Sequence, residues 1–328
     1  MPNRRAFVTG TLALLALPAG ARAQDKGAAR VLHVGLLDVQ PAAANAANLV
    51  EFQKGMKDLG YVEGRNLVTH YRSAEGHAER LPALARSLVK KPVDVIVARG
   101  TPAALAARDA PGAVPVVTAG AVDPVETKLV ASMERPGGKV TGLGFLVQEV
   151  EAKRMEVLRA LAPGRKRIAA LLDMGNPAIA ETWRHTEAAA RVLGMQAEVI
   201  DVRRPEQMLG AVDAAVGKGA EALVVRVMAL SDGQRRALVD AIARRKLPAM
   251  YAARPFVDAG GLVSYGVNTA NLYYRAAAFV DRIVKGAKPA ELPMERPSKF
   301  ELVFNRRALR ALDLVVPPDL LLRADEVV

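Results

Sequence analysis

Short apolar runs alternate along this chain with longer stretches in which apolar residues recur at helical spacing. Two of the runs, Val93–Ala98 and Val114–Thr118, are rich in β-branched residues, as expected for strands buried on both faces of a parallel sheet. Each run leads into a loop and then a proline suited to the first helical turn, Pro102 or Pro124. Parallel strands that end side by side leave a crevice where helix N-termini direct backbone N–H groups at a ligand. The pattern therefore predicts a ligand crevice at this edge.

The same strand–helix alternation predicts two lobes of similar architecture. The predicted strands lie at 31–37, 66–72, 93–98, 114–118, 167–172, 197–202, 222–227 and 247–251. The predicted helices lie at 43–59, 79–90, 147–161, 177–193, 206–216, 233–245 and 269–285. Short loops between alternating units are typical of doubly wound parallel sheets, so we predict the α/β class.

Three segments are predicted to cross between the lobes, near residues 142–146, 260–266 and 293–299. The predicted domains are residues 31–143 plus 262–292 for the first lobe and 144–261 plus 293–328 for the second. Several crossings form a multi-strand hinge in which a few residues absorb a closing motion. The expected fold is thus two doubly wound parallel-sheet lobes joined by this hinge.

Residues 1–23 are predicted to be an export signal rather than part of the fold. Arg4 and Arg5 form a twin-arginine-like segment, an apolar stretch runs to Leu17, and Ala21-Arg22-Ala23 fits a small-x-small cleavage site. The apolar stretch is too short to span a bilayer. We therefore expect a periplasmic protein. The chain has no cysteine, which excludes a lipid anchor on cysteine and any disulfide.

The formal net charge of +12 raises the question of nucleic-acid binding. The basic residues, such as Arg154 and Arg235, are scattered over predicted helix faces instead of forming a stripe interleaved with aromatic residues. We therefore interpret them as solvated helix faces and expect no nucleic-acid partner.

Motifs for enzymatic chemistry are missing from the sequence. There is no Gly-x-Ser-x-Gly, no His-Glu-x-x-His and no complete phosphate-binding loop, because Gly137-Gly138-Lys139 continues into Val140. The 4 histidines have no metal-ligand spacing. We expect a binding protein without catalytic residues, metal or cofactor.

Several short phrases occur in an order that resembles the substrate-binding proteins of ABC transporters, in particular the tryptophan/tyrosine-type family. Among these phrases are Leu59–Gly64, Gly100–Ala104, Asp123–Val125, Arg135–Gly138 and Lys299–Val303. The resemblance covers nearly all of residues 31–328. It implies a type I periplasmic binding protein fold and a monomer that closes on a small molecule and delivers it to an ABC permease in the inner membrane.

The chain departs from the family pattern at predicted strand ends that would line the cleft. Arg99 stands where a small polar residue is usual, Asp173–Pro177 replaces an Asn-Pro-Asn-Asn-Pro phrase, and Arg226–Met228 replaces a neutral loop. An aromatic amino acid therefore cannot be assumed as the ligand.

Candidate site residues in the first lobe follow its strands. Gly100, Thr101 and Pro102 open a helix, and Thr101 is either a plain N-cap or a ligand for a carboxylate. Asp123 could receive an amine or cap a helix starting at Pro124.

Three further polar residues complete the first-lobe set. Asp38 and Gln40 end the first strand and face either the cleft or solvent. Arg99 ends an apolar strand, where a charge is costly without a counter-ion. Its role is either an ion pair, for instance with Asp123, or an anion site.

The second lobe offers a similar set. Asn176 precedes Pro177 as Thr101 precedes Pro102, and Asp173 lies at the strand end just before it. Arg226 ends an apolar strand and either pairs with Asp173 or binds an anion. Tyr251 and Arg254 follow the last strand of this lobe and are placed on the far wall of the cleft.

We therefore expect a small, polar, amino-acid-like ligand with a carboxylate, held between the helix N-termini with help from Arg99 or Arg226. One alternative is a ligand sensor that feeds a membrane receptor. Another is the effector core of a transcription regulator, which would need a DNA-binding helix-turn-helix where this chain has its predicted export signal.

Overall fold

The computed structural model describes residues 30–226, 230 and 232–328. The predicted export signal, residues 1–23, lies outside them, as do Val227 and Met228. No helix among the described residues combines the length and apolar composition needed to cross a membrane.

Strands and helices alternate through the described residues. The strands are β1 (Leu32–Asp38), β2 (Leu67–Ser73), β3 (Val95–Ala98), β4 (Val116–Val122), β5 (Val140–Phe145), β6 (Arg167–Leu172), β7 (Gln196–Asp201), β8 (Ala222–Val225), β9 (Ala249–Tyr251), β10 (Val263–Val267), β11 (Phe300–Phe304) and β12 (Glu326–Val327). The helices are α1 (Ala42–Asp58), α2 (Leu81–Val89), α3 (Gly100–Asp109), α4 (Val147–Leu161), α5 (Pro177–Val192), α6 (Met208–Gly217), α7 (Asp232–Arg244), α8 (Arg254–Asp258), α9 (Thr269–Val284), α10 (Arg306–Ala311) and α11 (Pro318–Leu321).

The first sheet has the order β2-β1-β3-β4-β5 and is parallel throughout its described pairs. Helices α1 and α9 cover one face, where Phe52 and Tyr273 pack against Val34 and Val97. Helices α2 and α3 cover the other face. Burial on both faces explains the continuous apolar runs of β3 and β4.

The second sheet has the order β12-β11-β10-β9-β8-β6-β7, and its β10–β11 pair is antiparallel. Helices α6, α7 and α8 cover one face, and α4, α5, α10 and α11 cover the other. Trp183 is partly buried against the second of these cores. The two sheets and their helix layers confirm the predicted α/β architecture.

The strand pairing differs from the predicted domains at one boundary. The sequence assigns residues 262–292 to the first lobe, whereas β10 pairs with β9 in the second sheet. The helix that follows, α9, packs against the first sheet. The second crossing therefore falls after Val267, because the apolar run of β10 extends the second sheet before the chain leaves it.

Close backbone contacts fix the first and third crossings side by side. Leu143 forms a bridge with Glu295, and the hydroxyl of Thr141 donates to the carbonyl of Leu292 at 2.6 Å. Gly142 has φ +120°, and a Cβ there would lie 2.5 Å from the backbone N of Thr118. Only glycine permits this approach of β5 to β4.

Candidate functional site

Loops at the carboxyl ends of strands from both sheets surround a cavity of about 180 Å³. The first sheet contributes residues after β3 and at the end of β4, and the second contributes residues after β6 and β8. This is the edge at which open α/β sheets bind ligands. The volume limits an occupant to a small molecule.

The cavity brings together seven of the twelve residues that the sequence predicts for the site. Those in its lining are Arg99, Gly100, Thr101, Pro102, Asp173, Asn176 and Arg226. Those outside it are Asp38, Gln40, Asp123, Tyr251 and Arg254. The role of all twelve residues in ligand binding remains a prediction. The paragraphs below describe the contacts that these side chains make within the protein.

Arg99 is held by Asp38 rather than by Asp123. Its Nη1 lies 3.3 Å from Oδ1 of Asp38, which is fully buried. The other carboxylate oxygen accepts hydrogen bonds from Tyr273 at 2.7 Å and from Asn45 at 2.9 Å. Asp38 therefore positions the guanidinium at the cavity wall and does not itself reach the cavity.

Thr101 uses its hydroxyl inside the protein. The Oγ1 atom donates to the carbonyl of Val122 at 3.1 Å and accepts from the amide of Val122 at 3.0 Å. The N-cap position of α3 is Arg99, and no side chain caps this helix. The hydroxyl thus ties α3 to β4, while the uncapped first turn of α3 borders the cavity.

Asn176 is an N-cap, one of the two roles predicted for it. Its Oδ1 accepts from the amide of Ala178 at 3.1 Å. Asp173 accepts from the amide of Gly175 at 3.0 Å, and burial raises its pKa. Both residues sit where the cavity meets an adjoining surface groove.

Asp123 caps a different helix from the predicted one. The residues after Pro124 form turns rather than a helix. Oδ1 of Asp123 instead accepts from the amide of Val147, the first residue of α4, at 3.0 Å. Its Oδ2 is buried without a hydrogen bond, and burial raises the pKa of this carboxyl.

Arg226 is paired with Glu151 rather than with Asp173. The Nη1 atom of Arg226 lies 3.1 Å from Oε1 of Glu151, and only 8% of the Arg226 side chain is exposed. This Nη1 is buried and is not aligned to donate a hydrogen bond. Burial lowers the pKa of Arg226 to about 10, which leaves it charged at neutral pH.

Glu151 and Arg154 form a buried ion pair that the sequence interpretation missed. Arg154, assigned above to a solvated helix face, has a 5% exposed side chain and contacts Glu151. Its Nε donates to the carbonyl of Tyr265 at 2.8 Å. One signal was available, since Glu151 is four residues from both Val147 and Met155, which are buried on the same face of α4.

One carboxylate therefore serves two arginines beside the cavity. Burial raises the pKa of Glu151, but the charges of Arg154 and Arg226 and a 2.9 Å hydrogen bond from Thr186 lower it overall. Glu151 is fully buried behind the two guanidinium groups, and Arg154 and Arg226 both line the cavity. This arrangement presents positive charge to the cavity.

The predicted far-wall residues lie elsewhere. Tyr251 is 1% exposed and stacks on Phe256 in the core between the second sheet and α8. Arg254 pairs with Glu326 at 2.6 Å and with Asp258 at 3.4 Å. Side chains alternate along a strand, so Tyr251 at the end of β9 is directed to the face covered by α6, α7 and α8, whereas Met250 is directed to the other face.

The family profile described as ABC transporter substrate binding protein matches residues 42–328. The chain belongs to this family. A curated relative, a tyrosine-binding protein of Clostridioides difficile (strain R20291), is 26% identical over 267 residues, covering 80% of this chain and 75% of the relative.

Solved structures show the same fold. A conserved domain protein from Vibrio cholerae O1 biovar El Tor str. N16961 has a TM-score of 0.84 and 25% identity, covering 91% of this chain and 100% of that one. The ABC domain in complex with L-Trp from Streptococcus pneumonia has a TM-score of 0.82 and 24% identity, covering 91% of this chain and 100% of the other. This substrate-binding protein thus has the type I periplasmic binding protein fold.

Proposed function

We propose that this protein captures a small carboxylate-bearing solute of amino-acid size for an ABC importer. The observation that carries the proposal is the cavity between the two sheets, with Arg99 on one side and Arg226 on the other. A solute that contacts both guanidinium groups stabilises the arrangement in which the two lobes enclose it, since affinity depends on differential contact with that state.

The uncapped first turn of α3 adds to this positive field, because backbone N–H groups at a helix N-terminus favour an anion. We further propose that the chain acts in the periplasm, exported through residues 1–23, and passes its solute to an inner-membrane permease. Binding without chemistry is the proposed role, which matches the family to which the chain belongs.

The test is a thermal-shift screen of the purified chain against small metabolites, followed by calorimetry and by small-angle scattering of the best binder. A ligand that binds only the native state raises the unfolding midpoint with concentration. We expect saturable binding of a carboxylate, one per chain, with a decrease in radius of gyration.

The matched variants are Arg226→Gln, which should weaken binding, and Arg191→Gln, which should not. Arg191 is a helix residue with a 76% exposed side chain. Conversion of a metabolite to a product, or binding only of neutral solutes, would contradict the proposed function.

A further inference from the structure

We propose that the ligand is an organic anion without an ammonium group, with its carboxylate on an apolar body, rather than a zwitterionic amino acid. This inference rests on the proposed function and specifies its substrate class.

The charged side chains that line the cavity are of strongly unequal sign. Among the described residues, five are arginines and one is an aspartate. The arginines are Arg99, Arg154, Arg203, Arg204 and Arg226. An ammonium group placed among them meets like charge, which is costly in an enclosed site, whereas a carboxylate meets several donors in fork geometry.

The counter-charges stand behind the arginines, out of reach of a ligand. Asp38 and Glu151 are both fully buried and absent from the cavity lining. Asp201, which pairs with Arg203 at 2.8 Å, is also absent from the lining. The oxygens of Asp38 are occupied by the Arg99, Asn45 and Tyr273 contacts described above. An amine in the cavity could not displace these groups without exposing a buried charge.

The two remaining acids also fail as amine receptors. Oδ2 of Asp123 is buried without a hydrogen bond, but Asp123 lies outside the lining, and its charge acts on Arg226 in the protein interior. Asp173 does line the cavity, but it also lines the adjoining surface groove together with Arg203. Its Oδ1 already accepts the amide of Gly175. Asp173 therefore lies at the mouth, beside another arginine.

The guanidinium groups of Arg154 and Arg226 can bind an anion in addition to their contacts within the protein. Arg154 and Arg226 share the single carboxylate of Glu151 as their ion-pair partner. Both arginines line the cavity, so an oxyanion placed there can accept from the guanidinium N–H groups that face it.

Much of the remaining wall is apolar. Phe145, Val150, Ile179 and Leu272 face the cavity between the arginines. Such side chains hold an apolar ligand body, while the few polar groups fix its orientation. A small inorganic anion would leave this surface without a partner.

The test uses matched sets of three ligands that share one side chain: the amino acid, its des-amino acid and its decarboxylated amine. Indole-3-propionate, L-tryptophan and tryptamine form one set, and the phenyl, 4-hydroxyphenyl and branched aliphatic sets are built in the same way. Each compound is titrated by calorimetry into the full chain and into Arg226→Gln. Because Arg226→Gln also breaks a buried ion pair and can destabilise the fold, Arg204→Gln, which removes an exposed arginine of the cavity lining, is measured beside it.

We expect the tightest binder to be a des-amino acid, at least about tenfold tighter than its amino acid, since like charges oppose each other in the site. Its affinity should fall in both variants. Tighter binding of the amino acid would overturn the inference but leave the proposed function intact. Binding of only the amines, or of none of the sets while a neutral solute saturates the protein, would overturn both.

Discussion

The carboxylate of Glu151 on α4 lies between two guanidinium groups, with Oε1 3.1 Å from Nη1 of Arg226 at the end of β8. The second guanidinium belongs to Arg154, one turn further along the same helix. Arg154 also donates to the carbonyl of Tyr265 on β10. The carboxylate therefore connects α4 with the end of β8 directly, and with β10 through Arg154. This cluster lies beside the cavity.

Replacing Glu151 by Gln should destabilise the protein strongly. The substitution leaves Arg154 and Arg226 buried without their carboxylate, and breaking a buried pair in this way costs about 3–5 kcal/mol. Chemical denaturation measures the change in the free energy of unfolding. Glu156→Gln is the control, because its exposed ion pair with Lys153 contributes about 0–1 kcal/mol. Equal effects of the two substitutions would contradict the cluster.

Tyr273 and Tyr274 provide adjacent probes of the first-lobe network. Tyr273→Phe removes the buried donor to Asp38, and the loss of such a hydrogen bond to a charged group costs about 1.5–3 kcal/mol. Tyr274→Phe removes an exposed hydrogen bond to Asp58 and should cost less. If unfolding experiments rank the two variants the other way, Asp38 is not held as described.

Asp123→Asn should change the pH dependence of stability. Burial raises the pKa of Asp123 above its unfolded value, so the native state binds the proton more tightly than the unfolded state does. Stability is therefore lost as the pH rises from the unfolded pKa through the higher folded one. Asn does not ionise and still accepts from Val147.

The stability of Asp123→Asn relative to the wild type should consequently improve as the pH rises above about 4, the unfolded pKa of an aspartate, and through the raised pKa of the folded state. Thermal unfolding at a series of pH values measures this difference. A difference that stays constant, or that moves in the opposite direction, would show that Asp123 is not strained by its burial.

Gly142→Ala should disrupt the contact of β5 with β4. The added Cβ would lie 2.5 Å from the backbone N of Thr118 and 2.6 Å from its carbonyl oxygen, at a positive φ that L-residues avoid. Gly138→Ala is the control, since a Cβ there meets no atom within 4 Å. We expect a large fall in the unfolding midpoint for the first variant and a small change for the second.

The local pattern of apolar and polar residues was sufficient to predict much of the fold. The predicted bounds of α4 and β6 agree with the structure, because each is a continuous run with clear helical or strand periodicity. Pro124 misled the prediction, since a proline that suits a first helical turn also suits a tight turn. The second crossing was displaced because strand pairing, which is a long-range choice, decides which sheet β10 joins.

The sequence was sufficient to predict where the site lies but not which residues contact each other within it. The sequence indicated that Arg99 and Arg226 border the cavity, yet it paired each with the wrong acid. Asp38 is 61 residues from Arg99 along the chain, and only the sheet order brings β1 beside β3. Glu151 was overlooked because a charged residue in a helix is ordinarily exposed.

The most direct test of a cavity that holds one anion against Arg226 is calorimetry of the tightest-binding carboxylate with the wild type, Arg226→Gln and Arg191→Gln. The account predicts one site per chain, an affinity reduced at least about tenfold in Arg226→Gln, and an unchanged affinity in Arg191→Gln. Equal affinity in all three proteins would contradict it.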